Sequence, residues 1–178
     1  MNQYRKTPRA RFLDYGTGDY FVTITTKDML HYFGEVVDGE MLLNALGRFV
    51  ERQLQLASTY NPQISVPLFV VMPNHLHAIV QLVDGKSQGR EEVECKQRAP
   101  AMALRANPYD IRTVPSLSRY INSLKGAVTK FARVNGLEFA WHSRYYDHFI
   151  RNDNEGNHIA DYIMQNVSRW AETGEATD

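Results

Sequence analysis

The chain of 178 residues contains a single cysteine, Cys95, so it cannot form an internal disulfide. A lone cysteine also lacks the paired spacing of a structural zinc site. The first residues carry charge with no apolar run behind them, which argues against a secretory signal. We therefore expect a reduced protein located in the cytoplasm.

Long apolar runs are also missing. The longest apolar stretch lies around residues 67–72, whereas a transmembrane helix needs about 20 apolar residues. We expect no membrane partner. A hydrophobic content of 43% is enough for a true core. The length favours one domain, 1–178, which would bury about two-thirds of its unfolded surface without a disulfide or zinc.

The chain has no net charge, with 20 basic and 20 acidic residues, which argues against indiscriminate binding to polyanions. The charges are nevertheless unevenly distributed. Residues 1–12 form a basic arm with Arg5, Lys6, Arg9 and Arg11 and no acidic residue, and residues 116–151 carry a second basic excess. Both segments could face a phosphate backbone, or they could be ordinary solvated surfaces.

Hydrophobic spacing predicts an α+β fold. Strands are predicted at residues 19–27, 64–72, 75–83 and 145–151, a hairpin at 35–43, and helices at 45–59, 116–135 and 154–173. Without the hairpin, the order is β-α-β-β-α-β followed by a helix. That order is typical of the ferredoxin-like split β-α-β arrangement, an antiparallel sheet with helices on one face. Residues 84–115 show little periodicity and are predicted to be a flexible insertion.

Two histidines lie in the segment Pro-Asn-His-Leu-His-Ala-Ile-Val, residues 73–80. Side chains alternate along a strand, so His75 and His77 share one face and Leu76 takes the other. Two neighbouring imidazoles in a half-buried strand must be neutral, hydrogen-bonded or bound to an ion. The spacing is therefore consistent with a pair of metal ligands.

The last predicted helix carries His158, Tyr162 and Asn166 at intervals of four residues, so they share one face, and Gln165 lies beside them. Spacing alone does not distinguish these residues from ordinary helix surface. The chain contains 10 tyrosines, and nothing in the periodicity selects Tyr162.

The histidine segment resembles the His-hydrophobic-His motif of the HUH single-strand endonucleases, and in particular the REP-associated tyrosine transposases. Three further stretches resemble that family in the same order: Ser-Leu-Lys-Gly at 123–126, Trp-His-Ser-Arg-Tyr-Tyr-Asp-His-Phe-Ile-Arg at 141–151, and Asp-Tyr-Ile-Met-Gln-Asn at 161–166. The resemblance covers roughly residues 18–170. It implies the split β-α-β fold, with the tyrosine on a C-terminal helix.

The resemblance also implies an activity, namely metal-dependent cleavage and rejoining of single-stranded or hairpin DNA through a 5′-phosphotyrosine. His75 and His77 match the metal ligands and Tyr162 matches the nucleophile. The third ligand is Asn166 or Gln165. Mg²⁺ or Mn²⁺ is implied, although imidazoles alone would suit zinc equally well. Monomeric and homodimeric forms both stay open. We expect DNA contacts from Arg5, Lys6, Arg9, Arg11, Lys125, Arg144 and Arg151.

Several alternatives compete with this interpretation. Tyr145 and Tyr146 lie near His148 and could act as nucleophiles, but a helix can present Tyr162 over the histidine face more directly. The same fold also hosts RNA- or DNA-binding domains without catalysis, which use exposed aromatic residues where this chain has histidines and Gln81. A zinc hydrolase that activates water would not need Tyr162.

Val167 replaces a proline common in the family, which predicts that the last helix continues to Trp170.

Overall fold

The structure is a computed structural model that describes residues 18–83 and 116–173. In chain order its elements are β1 (Gly18–Thr25), β2 (Gly34–Val37), β3 (Glu40–Leu43), α1 (Ala45–Gln55), α2 (Ala57–Tyr60), β4 (Ile64–Val71), β5 (His75–Leu82), α3 (Leu117–Val134), β6 (Tyr146–Phe149), α4 (Asp153–Met164) and α5 (Asn166–Thr173). The basic arm at 1–12 and the insertion at 84–115 lie outside the described residues, so both stay predictions. Within the described part of the chain, no helix has the length and apolar character needed to cross a membrane.

Four strands form one antiparallel sheet in the order β4-β5-β1-β6. β1 is central, pairing with β5 on one side and with β6 on the other. β4 is an edge strand next to β5. Because α1 connects β1 to β4 and α3 connects β5 to β6, this is the ferredoxin-like split β-α-β arrangement. The predicted fold class is confirmed.

The two faces of the sheet differ in what covers them. On β1, Tyr20, Val22 and Ile24 are buried, while Phe21 and Thr23 point to the opposite face and are half-buried. In the main core, the three buried side chains of β1 pack with side chains of β5, α1 and α3. The chief partners are Leu76, Ala78, Val80, Leu82, Leu46, Val50, Leu54, Ile121, Leu124 and Val128. Burying each of the larger side chains contributes about 1.5–3 kcal/mol, which holds α1 and α3 on this face.

Local signals in the sequence set two helix ends. Oδ1 of Asn44 accepts hydrogen bonds from the backbone nitrogens of Leu46 (2.9 Å) and Gly47 (3.0 Å), which caps α1. Helix α3 ends at Asn135, and Gly136 follows at φ +64°. That left-handed conformation suits glycine, which has no Cβ.

The predicted hairpin is present as β2 and β3, which form a separate two-stranded sheet. Asp38 and Gly39 join them with φ angles of +51° and +80°. Two successive positive φ angles are the signature of the tight turn whose twist matches paired strands. Helix α5 packs against this hairpin.

Two helices that the spacing predicts as continuous are interrupted. The helix predicted at residues 45–59 breaks at Leu56 (φ −91°, ψ 8°) and resumes at Ala57. The predicted helix at 154–173 breaks at Gln165 (φ −85°, ψ −3°), so the prediction of an uninterrupted helix to Trp170 is wrong. Helix α4 contacts β4 and β5, whereas α5 contacts the β2–β3 hairpin. The two halves of the segment 154–173 thus pack on different surfaces, and the helix is interrupted between them.

Candidate active site

His75 and His77 lie on the face of β5 that points away from the main core. The antiparallel register places Thr25 opposite His75 and Thr23 opposite His77. The centroids of the two imidazole rings are 4.7 Å apart, and the two residues are only 2% and 4% exposed. They share one face, as the strand alternation predicts.

Asn74 determines which ring nitrogen of His75 carries the proton. Nδ2 of Asn74 donates to the backbone carbonyl of Met29 at 3.1 Å. Its Oδ1 therefore faces His75, 2.7 Å from Nδ1. Because an amide oxygen only accepts hydrogen bonds, Nδ1 must carry the hydrogen and Nε2 keeps its lone pair. Nε2 is buried and has no hydrogen-bond partner among the described residues.

The turn that carries Asn74 is held by the segment that follows β1. The Thr26 hydroxyl lies 2.9 Å from the carbonyl oxygen of Asn74 and 2.7 Å from the carbonyl oxygen of Leu30. The Thr26 backbone nitrogen also donates a hydrogen bond to the Asn74 carbonyl oxygen at 2.8 Å. Asp28 and Met29 adopt φ angles of +53° and +54°, which residues other than glycine rarely do. This unusual backbone presents the Met29 carbonyl to Asn74.

His77 is held on both edges of its ring. Oγ1 of Thr23 is 2.8 Å from Nδ1, and Oη of Tyr162 is 3.3 Å from Nε2. The Phe21 ring stacks on the imidazole, with centroids 5.4 Å apart and 21° between the planes. In both histidines Nδ1 is engaged by a neighbouring strand or turn residue. Nε2 of His75 has no hydrogen-bond partner among the described residues, whereas Nε2 of His77 faces the Tyr162 hydroxyl.

Burial lowers the pKa of both histidines. The pKa of His75 falls from 6.5 to about 4, and that of His77 falls to about 3, because an environment poor in water disfavours the charged imidazolium. The charge of His75 lowers the pKa of His77 further, whereas the side chain of Asn166 partly opposes the fall for His75. Both rings are neutral at pH 7. Each can offer a lone pair to a cation, and neither can act as a proton acceptor of useful strength.

Helix α4 presents Tyr162 to this histidine face. The centroid of its ring is 5.1 Å from that of His77 and 6.1 Å from that of Phe21, which it meets edge-on. The guanidinium carbon of Arg169 lies 5.4 Å from the centroid of the Tyr162 ring. This distance lies within the range of a cation–π contact.

Asn166 and Gln165 occupy different surroundings. Asn166 is 7% exposed and lies near enough to His75 to influence its pKa, although it forms no hydrogen bond with Nε2. Gln165 is exposed, and its Oε1 accepts a hydrogen bond from Nη2 of Arg169 at 3.2 Å. The structure thus brings Asn166 to the histidines and leaves Gln165 at the surface.

These residues fit a divalent ion. An acceptor such as His75 Nε2, buried without a donor, costs roughly 1–3 kcal/mol, and a bound cation would remove that cost. Two imidazole nitrogens and an amide oxygen suit a first-row divalent metal. The described residues contain no group of three or more His, Cys, Asp or Glu side chains that could hold a metal. His75, His77 and Asn166 supply three ligands, so an ion held by them would keep at least one position open for water or substrate.

The chain resembles one curated protein in sequence. The sequence matches no protein-family model. An uncharacterized protein of Haemophilus influenzae (strain Rd) is 32% identical over 170 residues, which cover 94% of this chain and 90% of that protein. The chain belongs to the same family as this Haemophilus protein.

A solved structure shares the fold. It is a REP-associated tyrosine transposase bound to a REP hairpin, with a TM-score of 0.56 and 18% sequence identity. The match covers 98% of this chain and 78% of that chain. The chain therefore has the fold of a REP-associated tyrosine transposase, as the four sequence motifs predict.

Three of the predicted DNA-contacting residues lie in the described part of the chain. Arg144 and Arg151 are exposed. Lys125 is partly buried, its Nζ donates to the backbone carbonyl of His142 at 2.7 Å, and burial lowers its pKa. Nζ of Lys125 also lies 5.8 Å from the ring centroid of Trp141, so this lysine joins α3 to the segment that precedes β6. The four basic residues of the N-terminal arm lie outside the described residues, and DNA contact stays a prediction for all seven.

The competing tyrosines have other neighbours. The Tyr145 hydroxyl lies 2.8 Å from Oγ of Ser118. Tyr146 is 50% exposed on β6, and His148 pairs with Glu155 at 2.7 Å. Tyr162 is the tyrosine that the structure places within hydrogen-bond distance of His77.

Sequence reasoning missed four residues that shape this site, namely Phe21, Thr23, Asn74 and Arg169. The alternation of β1 puts Phe21 and Thr23 on one face, but only the strand register shows that this face meets His77. Arg169 follows Tyr162 by seven residues, a helical spacing that could have indicated a shared face. Nothing local indicates the hydrogen bond from Asn74 to Met29, which are 45 residues apart.

Proposed function

We propose that the chain is a metal-dependent single-strand DNA endonuclease of the tyrosine transposase kind, which cleaves and rejoins DNA through Tyr162. The observation that carries the proposal is the position of the Tyr162 hydroxyl, 3.3 Å from Nε2 of a buried, neutral histidine. The solved transposase of the same fold was bound to a REP hairpin. That supports hairpin-bearing single-stranded DNA as the substrate class.

His75, His77 and Asn166 would hold the ion, Mg²⁺ or Mn²⁺. When bound, the ion supplies positive charge to the non-bridging oxygens of the scissile phosphate. Asn74 and Thr23 orient the two imidazoles, as outer partners of metal-bound histidines do. Burial keeps both rings neutral, so their lone pairs are available without loss of a proton.

Tyr162 supplies the nucleophile. Its Oη forms a bond to phosphorus, and the bond between phosphorus and the 3′ oxygen of the preceding nucleotide breaks. The phenol proton passes to water, and the departing oxygen takes up a proton to become a 3′-hydroxyl. The covalent link to the 5′-phosphate conserves the phosphoester, so a 3′-hydroxyl can reverse the reaction and rejoin the strand.

Arg169 assists Tyr162 through its charge. An ordinary tyrosine has a pKa of about 10, so little phenolate exists at neutral pH. The guanidinium over the Tyr162 ring favours that form. All of these residues come from one chain, so the proposed reaction requires no second copy.

The test is a covalent protein–DNA adduct that survives denaturing electrophoresis. The full chain is incubated with Mn²⁺ and a labelled pool of single strands that carry a hairpin and randomised unpaired flanks. Wild type should form an adduct that EDTA suppresses, and sequencing the captured strands identifies the cleavage point. Tyr162→Phe should form none, whereas Tyr60→Phe, at a tyrosine that is 66% exposed, should match wild type.

Two outcomes would overturn the proposal. If wild type binds the pool but forms no adduct, the chain is a nucleic-acid-binding domain without catalysis. If Tyr162→Phe forms as much adduct as wild type, the nucleophile is another residue.

A further inference from the structure

A groove of about 610 Å³ opens between β6 and α4. Its lining includes Phe21 and Tyr162 of the candidate site, and beyond them Tyr146, Arg151 and His158. The groove is shallow and largely open to solvent. Because Tyr162 lines the groove, whatever occupies it lies next to the hydroxyl that would attack the phosphate.

One wall of the groove is aromatic. Tyr146 pairs with Thr23 across the β1–β6 ladder, and its ring meets that of Phe21 edge-on, with centroids 6.3 Å apart. Tyr146 is 50% exposed although it lies beside the candidate active site. Stacking on such a ring is the principal sequence-tolerant contact between proteins and single-stranded bases.

Glu155 holds the two sides of the groove together without a ligand. Its Oε1 lies 2.7 Å from Nε2 of His148 on β6, and its Oε2 accepts a hydrogen bond from the Arg151 backbone nitrogen at 2.8 Å. Both carboxylate oxygens are therefore engaged. The bond from the Arg151 backbone, followed by that from His148, lowers the pKa of Glu155. The groove is thus preformed, and the Glu155 carboxylate that lines it is already matched by donors.

Arg151 adds a positive charge at the same place. It is exposed and lines the groove, and its charge lies near enough to Glu155 to help lower the pKa of that carboxyl group. An arginine so placed can form charge-assisted hydrogen bonds with a phosphate. An aromatic wall beside a phosphate-binding cation matches the two parts of a nucleotide.

We infer that this groove holds the unpaired nucleotide next to the scissile phosphate, with its base against Tyr146 and Phe21 and its phosphate toward Arg151. The inference rests on the proposed function, because it takes Tyr162 as the nucleophile. A base held here positions the adjoining phosphate at the Tyr162 hydroxyl. The base has to be unpaired to reach the two rings.

The test measures coupling between Tyr146 and one base of the DNA. Binding of the captured hairpin strand is followed by fluorescence anisotropy, with the Tyr162→Phe protein so that no adduct forms. Each nucleotide that flanks the cleavage point is replaced in turn by an abasic analogue. One flanking replacement should weaken binding about 5- to 150-fold, the range for one lost base–aromatic stack. Tyr146→Ala, added to Tyr162→Phe, should weaken binding by a similar factor, and the two changes together should weaken it no more than either alone.

Control variants separate the groove from a general loss of structure. Tyr146→Phe keeps the ring and should bind like the parent, and so should Tyr60→Ala, at an exposed tyrosine outside the groove. Arg151→Gln should lower the salt dependence of binding by about one phosphate contact. The inference would be overturned if, for every abasic replacement, its loss of binding affinity and the loss from Tyr146→Ala simply multiply. If wild type forms the adduct through Tyr162 and the losses multiply, the groove alone is wrong, whereas absence of an adduct in wild type overturns both proposals.

Discussion

Oδ1 of Asn74 accepts a hydrogen bond from Nδ1 of His75 at 2.7 Å, while the other end of the same amide donates to the Met29 carbonyl at 3.1 Å. The amide cannot rotate without losing both bonds. It therefore keeps the hydrogen of His75 on Nδ1 and leaves the buried Nε2 lone pair for an ion. A residue that would not itself touch the metal thus determines whether its neighbour can bind one.

Removing this amide should weaken ion binding. Asn74→Ala should lower the affinity for Mn²⁺ about 10- to 100-fold, the range for loss of an outer partner of a metal-bound histidine. Asn74→Asp keeps the accepting oxygen and should remain much closer to wild type. Titration calorimetry on EDTA-treated protein measures both affinities. An equal loss in the two variants would show that Asn74 acts through the Met29 bond and not through His75.

The third metal ligand can be identified by a matched pair of substitutions. Asn166→Ala should reduce Mn²⁺ affinity at least tenfold, because its side chain lies in the buried cluster with His75. Gln165→Ala should leave that affinity unchanged, because Gln165 is exposed and bonded to Arg169. The same calorimetry decides between them, and the reverse result would make Gln165 the ligand.

The stability of the ion-free protein should depend on pH through the two histidines. Unfolded, they titrate near 6.5, whereas in the folded chain the pKa of His75 is about 4 and that of His77 about 3. Between these values the unfolded chain binds more protons, so the free energy of unfolding should fall as pH decreases from about 6.5 toward 4. At about 1.4 kcal/mol per pKa unit, the total loss is on the order of several kcal/mol.

Urea denaturation in EDTA at several pH values measures this dependence. His77→Gln should lose part of it, because the variant lacks one of the two titrating groups. The free energy of unfolding could instead change by the same amount in wild type and in His77→Gln between pH 6.5 and 4. That result would show that other groups are responsible.

Arg169 should set the pH range of adduct formation. Arg169→Gln removes the charge over the Tyr162 ring and should shift the rising limb of the pH–rate profile to higher pH. Arg169→Lys should retain most of the wild-type profile. Gln165→Ala removes a hydrogen-bond partner of Arg169 but not the charge, so its profile should match wild type. If Arg169→Gln changes the rate without moving the profile, Arg169 acts on DNA or on packing instead.

Local patterns account for most of the fold. The four sheet strands and the 35–43 hairpin follow from the sequence, because period-two alternation and tight turns each depend on neighbouring residues. The breaks at Leu56 and Gln165 were not predicted. The break at Gln165 lies where α4, packed on β4 and β5, is followed by α5, packed on the β2–β3 hairpin, and only the packed structure contains that change of surface.

The amino-acid sequence by itself determined that His75 and His77 share one face of a strand, because side chains alternate along every strand. Its four motifs, in one order, identified the fold. The tertiary structure decided what lies against that face. The register of β1 brings Thr23 to His77, the turn after β1 anchors Asn74, and the packing of α4 and α5 buries Asn166 while it leaves Gln165 exposed. These contacts join residues far apart in the chain, so no local pattern could have shown that the histidine pair has a buried, unpaired Nε2.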